Sequence, residues 1–219
     1  MSYIIITKKK WDTNNYKILN KKIKILKEIN IKKINYINPK IVFFIHWSKL
    51  IPKDLYERYT CIQFHISDLP RGRGGSPIQN QILRNIKKTK ISAFKVEKGL
   101  DSGPICMKQD ILLDGSAELI LKNMEFKSLN MIKKLVKQKV IKFKKQKQKL
   151  KIFKRRKPHE SEIDPSKIKT INKMYDFLRM LDAPNYPNAF IKLKGFKIVF
   201  NHIKKKHNII DAKVKITKK

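Results

Sequence analysis

The run Lys40–Trp47, KIVFFIHW, is apolar on successive residues and is preceded by Pro39. A strand with apolar side chains on both faces fits the interior of a parallel sheet covered from two sides, so the chain is expected to be α/β. Tyr3–Thr7 reads as a first buried strand. Thr60–His65 reads as the next strand after Lys40–Trp47, and its period of two sets Gln63, His65 and Ser67 on one side. Further strands are expected at Lys90–Val96 and from Ile105. Between the first two strands, Ile18, Ile23, Leu26 and Ile29 stand near helical intervals and predict a helix. Ser76-Pro77 supplies an N-cap and a first-turn proline for another, whose apolar face is Ile78, Ile82, Leu83 and Ile86. The spacing of Ile120, Leu121, Met124, Ile132, Leu135 and Val136 predicts a helix from Ser116 to about Lys137. At 219 residues the chain can bury one core of ordinary size with a small appendage.

Five of the seven glycines lie between Cys61 and Met107, at Gly72, Gly74, Gly75, Gly99 and Gly103. Glycine permits positive φ and close approach of another group, so their concentration marks a shaped site. The same stretch holds His65 and Asp101, the leading candidates for chemistry. The turn after the first strand has no glycines, which argues against a dinucleotide phosphate loop. Cys61 and Cys106 sit in apolar runs without metal-ligand spacing, so burial is expected and a disulfide or metal site is not.

The formal net charge is +36, a value that suggests nucleic acid or another anionic partner. Only seven of the 53 basic residues are arginine, however, and lysine is spread along every segment beside much isoleucine and asparagine. Compositional drift with solvated lysine faces is therefore preferred to dedicated nucleic-acid binding. Lys133–Lys157 is the most basic stretch; it reads as loop and strand, with a nucleic-acid arm as the sharper alternative. No apolar run approaches a membrane span and the start MSYIIITKKKW lacks the charge order of a secretory signal, so a cytoplasmic location is expected.

HISDLPRGRGGSPIQ followed by EKGLDSGPI resembles the signature of formyltransferases that use 10-formyltetrahydrofolate. That family carries Asn-x-His at a strand end, a proline-terminated loop, Arg-Gly, a Pro-Ile-Gln helix start and then Leu-Asp-(Thr or Ser)-Gly-Pro. The separation of 36 residues from His65 to Asp101 is the family's own. The resemblance implies a Rossmann-like, mostly parallel sheet with a short C-terminal α+β extension, divided as 1–150 and 151–219, and 10-formyltetrahydrofolate as co-substrate. It implies His65 as the oxyanion donor and Asp101 as the base or proton relay. Gln63 stands where the family has asparagine, a methylene longer, with Asn80 or a backbone N–H as a substitute. A folate edge is implied at Ile45 and Trp47 and at Gly99 and Leu100. Asp68, Arg71, Gly74 and Asn80 are implied near the acceptor, and Arg73 as a loop anchor; His46 is expected to be a satisfied packing residue.

RKPHESEI and RMLDAPNYPNAF resemble short sugar N-formyltransferases, with a helix and a strand pair after the core and a frayed tail beyond Lys204. The acceptor expected on that ground is the primary amine of a nucleotide-linked amino sugar, for surface polysaccharide. Methionyl-tRNA formyltransferases suit the charge but carry a longer C-terminal barrel, whereas only about 60 residues follow FKRRKP. Methionyl-tRNA remains one alternative acceptor, and a non-catalytic RNA-binding protein on this scaffold is the alternative from another class.

Overall fold

The computed structural model describes residues 2–8, 10–19, 21–147 and 152–218. Tyr3–Ile6 (β1), Ile23–Leu26 (β2), Ile41–Phe44 (β3), Thr60–His65 (β4), Lys88–Lys95 (β5) and Ile105–Leu112 (β6) form one sheet in the order β2-β1-β3-β4-β5-β6. The first four strands are mutually parallel, and β5 and β6 continue the sheet antiparallel. Apolar side chains alternate between two covered faces, which is why the strands read as continuous runs. Ile5, Phe43, Ile62 and Phe64 pack toward the helix Ala117–Lys137, whose Ile120, Met124 and Ile132 share their core. Ile4, Ile6, Val42, Phe44 and Cys61 pack on the other face, with Ile34 and Leu55. Phe43 and Phe44 are fully buried, each side chain contributing roughly 1.5–3 kcal/mol by area.

The helices are Ile31–Ile37 (α1), Lys53–Arg58 (α2), Pro77–Ile82 (α3), Ala117–Lys137 (α4) and Ile171–Arg179 (α5). The helix expected over Ile18–Ile29 is absent. Ile23 and Leu26 instead bound strand β2, and only Thr13–Ile18 makes a 3-10 turn, capped by Asp12. In IKIL the β-branched residues alternate with lysine, and pairing with β1 satisfies a strand that an uncapped helix could not match. Helix α1 begins only after Asn30, whose side chain accepts the Lys33 N–H, and it closes on Asn38 in the left-handed region.

After α5, Phe190–Leu193 (β7), Phe196–Lys206 (β8) and Ile209–Lys218 (β9) form a second, antiparallel sheet. The expected strand pair is thus three strands, and the expected frayed tail is β9, in register with β8 from Phe196 opposite Lys218. Lysines mask the pattern there, but Val214 and Ile216 alternate with Lys213 and Lys215 at the strand period. Ile163, Leu178, Leu181 and Ile203 join the same core as Ile120 and Ile132. Arg179, 2% exposed, fixes α5 to the turn before α4: its Nη1 donates to the Leu113 and Gly115 carbonyls at 2.9 and 2.8 Å, and its Nε to Asp176 at 2.7 Å.

Of Lys133–Lys157, the first residues belong to α4, and the rest makes isolated bridges at Lys144 and Phe153; residues 148–151 lie outside the described part. Cys61 and Cys106 are free, and burial pushes both thiols up to about 12. Among the described residues no helix is long and apolar enough to cross a membrane.

Candidate active site

His65 is the last residue of β4, where the parallel strands end, and is 7% exposed. Asp101 comes from the irregular piece before β6 with φ of 47° and is 8% exposed. His65 Nδ1 lies 3.7 Å from Asp101 Oδ2. The other ring nitrogen, Nε2, meets the Gly72 carbonyl at 2.8 Å. A carbonyl only accepts, so Nε2 carries the proton and donates to it. The Gly74 N–H donates to Asp101 Oδ2 at 2.9 Å. One loop, Gly72–Gly74, therefore holds both side chains.

A polar clamp backs this loop. Arg73 donates from Nε and Nη2 to Gln146 Oε1 at 3.0 and 2.7 Å, and Gln146 Nε2 donates to the carbonyls of Asp101 and Gly103 at 3.0 and 2.7 Å. Arg73 is thus an anchor. Gln146 was not legible, because it lies in a lysine-glutamine stretch without periodicity. Gly74 has φ of 103°, and a Cβ there would stand 2.4 Å from the Phe153 carbonyl oxygen. Gly74→Ala is expected to destabilise the fold by at least about 1 kcal/mol, from the left-handed backbone alone; an unchanged midpoint in thermal unfolding would contradict that contact.

The remaining expected residues divide. Gln63 shares the His65 face, but its Nε2 donates to the Trp47 carbonyl at 3.2 Å, tying β4 to the end of β3. Ile45 is fully buried, its side chain in the core, and its N–H donates to the Ile6 carbonyl at 3.1 Å. Trp47 is 7% exposed, packs on Phe44, and has Lys8 over its ring at 5.9 Å. Its Nε1 is buried with no hydrogen-bond partner among the described residues. Gly99 turns the chain at φ of 108°, and Leu100 is 52% exposed.

Asp68 pairs with Lys108. Arg71 is exposed, and its backbone N–H donates to the Asp68 carbonyl at 3.0 Å. Asn80 departs most from expectation: its Nδ2 serves the carbonyls of Gly75, Ser76 and Lys154 and its Oδ1 accepts from Arg84. With its amide committed to the backbone, Asn80 is a structural brace in place of an acceptor contact or oxyanion donor. His46, at φ of 52°, packs edge-on against Trp11, and burial lowers its pKa to about 3, so it is neutral near pH 7. Its Nε2 is buried with no hydrogen-bond partner among the described residues, so the expectation of a satisfied packing histidine fails at that atom.

Glu125 went unread as well. It is fully buried on α4 and takes the turn after β1: Trp11 N–H at 3.0 Å, Asp12 N–H at 2.9 Å and the Tyr16 hydroxyl at 2.9 Å. Burial first, and Glu125 next, hold the Tyr16 phenol well above its ordinary range. Those N–H groups occupy the turn where dinucleotide proteins hold phosphate, and here a carboxylate of the chain itself takes them. The one legible sign was a lone acid at a position on the apolar stripe of α4. Among the described residues no cluster of His, Cys, Asp or Glu could hold a metal ion.

A buried imidazole that can donate, a carboxylate beside it and a glycine loop holding both, at the ends of parallel strands, suit acyl transfer between two bound molecules by polarising a carbonyl and moving a proton. Residues 6–132 match the family described as formyl transferase, which is more than half of the chain, and residues 158–217 match the C-terminal domain of methionyl-tRNA formyltransferase. The chain belongs to the formyl transferase family.

A methionyl-tRNA formyltransferase of Rickettsia felis is 39% identical over 90 residues, a stretch that covers 40% of this chain and 29% of that protein. The solved methionyl-tRNA formyltransferase from Clostridium thermocellum is 41% identical, with a TM-score of 0.93 and 100% of both chains covered. Two structures share the fold at lower identity. HypX of Aquifex aeolicus, solved with tetrahydrofolic acid, is 12% identical, covering 95% of this chain and 40% of that one at a TM-score of 0.73. A 4-N formyltransferase from Francisella tularensis is 16% identical, covering 96% and 95% at a TM-score of 0.63.

Proposed function

We propose that this chain transfers the formyl group of 10-formyltetrahydrofolate to the α-amine of methionyl-tRNA. The observation that carries this reading is the 41% identity with the Clostridium thermocellum methionyl-tRNA formyltransferase across the whole of both chains. It removes the reason for preferring an amino sugar. The C-terminal unit looked too short for a tRNA enzyme, yet a structure of that name is matched from end to end at this length. The 4-N formyltransferase likeness, at 16% identity, supports the fold only.

In this reading His65 donates its Nε2–H to the formyl oxygen as the amine attacks the formyl carbon and negative charge gathers on that oxygen. The donor must leave the Gly72 carbonyl to do so. Asp101 accepts the proton that the new C–N bond forces off the attacking nitrogen, directly or through water, and returns it as the folate nitrogen leaves. Gly74 N–H keeps the carboxylate aimed during both steps. The formyl group ends on the amine, tetrahydrofolate departs, and the enzyme regains its starting protonation.

The +36 charge then has a partner in the tRNA phosphates. The register of β8 and β9 puts Lys197, Lys213 and Lys215 on one face of the second sheet. Replacing those three by glutamine is expected to raise the KM for tRNA and leave that for folate unchanged. The log–log salt slope should flatten by about 1 for each lysine that meets a phosphate. Identical KM values and slope would remove this face from the interface.

The test of the acceptor is tetrahydrofolate release in a panel of methionyl-tRNA, nucleotide-linked 3-amino and 4-amino sugars, and no acceptor. Release with methionyl-tRNA alone is expected. Release only with a sugar would restore the amino-sugar reading, and tight, steeply salt-dependent RNA binding without any release would favour a non-catalytic RNA-binding protein.

A further inference from the structure

The loop that holds His65 and Asp101 is itself held by one residue of the basic connection. Phe153 N–H donates to the Arg73 carbonyl at 2.7 Å and its carbonyl accepts the Gly75 N–H at 2.9 Å, a parallel bridge across Gly74. Its ring lies 4.8 Å from the Arg84 guanidinium. It also fills the space next to Gly72, where a Cβ would come within 2.8 Å of the ring. Around it, Asn80 Nδ2 donates to the Lys154 carbonyl at 3.0 Å and Arg156 N–H donates to the Ser76 hydroxyl at 3.0 Å. Gly72, Gly74 and Gly75, three of the glycines that mark a shaped site in the sequence, make room for this strap.

We propose that Phe153 is a positioning residue for His65 and Asp101, acting through the Gly72–Gly75 loop. The Gly72 carbonyl that takes the His65 Nε2 proton and the Gly74 N–H that takes Asp101 are both within two residues of the bonds Phe153 makes. Gly72 and Gly74, at φ of 73° and 103°, have no side chains of their own, and Arg73 between them ties the loop toward Gln146, so the rest of its placement depends on what is laid against it. Beside the backbone bridge and the Arg73–Gln146 clamp, the ring limits movement of the loop by filling the space next to Gly72. The inference rests on the formyl-transfer reading only where it speaks of rate.

The test uses the full-length protein and two readouts. In the first, the imidazole nitrogens of His65 are followed by NMR, assigned with His65→Gln. In the second, kcat and KM are measured with 10-formyltetrahydrofolate and methionyl-tRNA. Phe153→Ala is expected to expose the His65 Nε2 proton to solvent exchange and to lower kcat by roughly 10- to 100-fold, the scale of a misplaced reacting group. Both KM values should stay within about twofold, since uniform binding is untouched. Phe153→Tyr keeps the ring and should restore both readouts. An unchanged His65 signal in Phe153→Ala overturns the proposal, as does a loss of kcat that Phe153→Tyr fails to restore. Should the wild-type protein not formylate methionyl-tRNA, the functional reading fails alone, and the His65 signal still decides the role of Phe153.

Discussion

Replacing His65 by alanine is expected to lower kcat at least roughly 100- to 1,000-fold while the protein stays folded. That is the scale on which losing one donor to a developing oxyanion acts, about 2.7–4 kcal/mol. His65 sits at a strand end, and its ring meets the Gly72 carbonyl and the Asp101 carboxylate, so the sheet loses no ladder bond when the ring is removed. Asp101→Asn is expected to fall comparably, by roughly 100- to 10,000-fold, because proton transfer needs the carboxylate whereas an amide oxygen can still accept the Gly74 N–H. The two groups act on one proton and one oxygen, so the double variant should be little slower than the worse single one. Circular dichroism and a thermal midpoint close to wild type would assign the loss to chemistry. Normal turnover in both variants would remove the site.

Glu125→Leu is expected to cost the fold at least about 2 kcal/mol. The leucine fits the volume, yet it takes away the acceptor that Trp11 N–H, Asp12 N–H and the Tyr16 hydroxyl share; the two N–H groups are half-buried, and the buried hydroxyl left unmet costs about 1–3 kcal/mol. For a chain of this size that corresponds to a fall of roughly 4–8 °C in the unfolding midpoint. Glu125→Gln, which keeps one oxygen, should fall less. A midpoint for Glu125→Leu equal to wild type would show that the turn after β1 is held by something else.

What the sequence disclosed follows the length over which each signal repeats. KIVFFIHW and TCIQFH are buried on both faces, so their strand character appears at every residue, and α4 repeats its stripe across 21 residues. IKIL is four residues long, too short to tell a strand from a turn of helix, and β2 was misread for that reason. In β9 the many lysines hid an alternation that was present. His65 and Asp101 were legible because each stands in its own motif, and the fold brings them within 3.7 Å.

The roles of Asn80, Gln146 and Phe153 could not be read in that way. Each is fixed by where a distant backbone carbonyl or N–H falls, and nothing local encodes that placement. The amino-sugar expectation rested on a length argument that the Clostridium thermocellum structure, matched over 100% of both chains, does not support.

The measurement that bears most directly on the central claim is recovery of the amino acid after reaction. Methionyl-tRNA is incubated with the enzyme and 10-formyltetrahydrofolate, the ester is hydrolysed, and the released methionine is analysed by mass. The account predicts N-formylmethionine in step with tetrahydrofolate for the wild type and its loss for His65→Ala. Unmodified methionine beside steady tetrahydrofolate release, or equal formylation by His65→Ala, would contradict it.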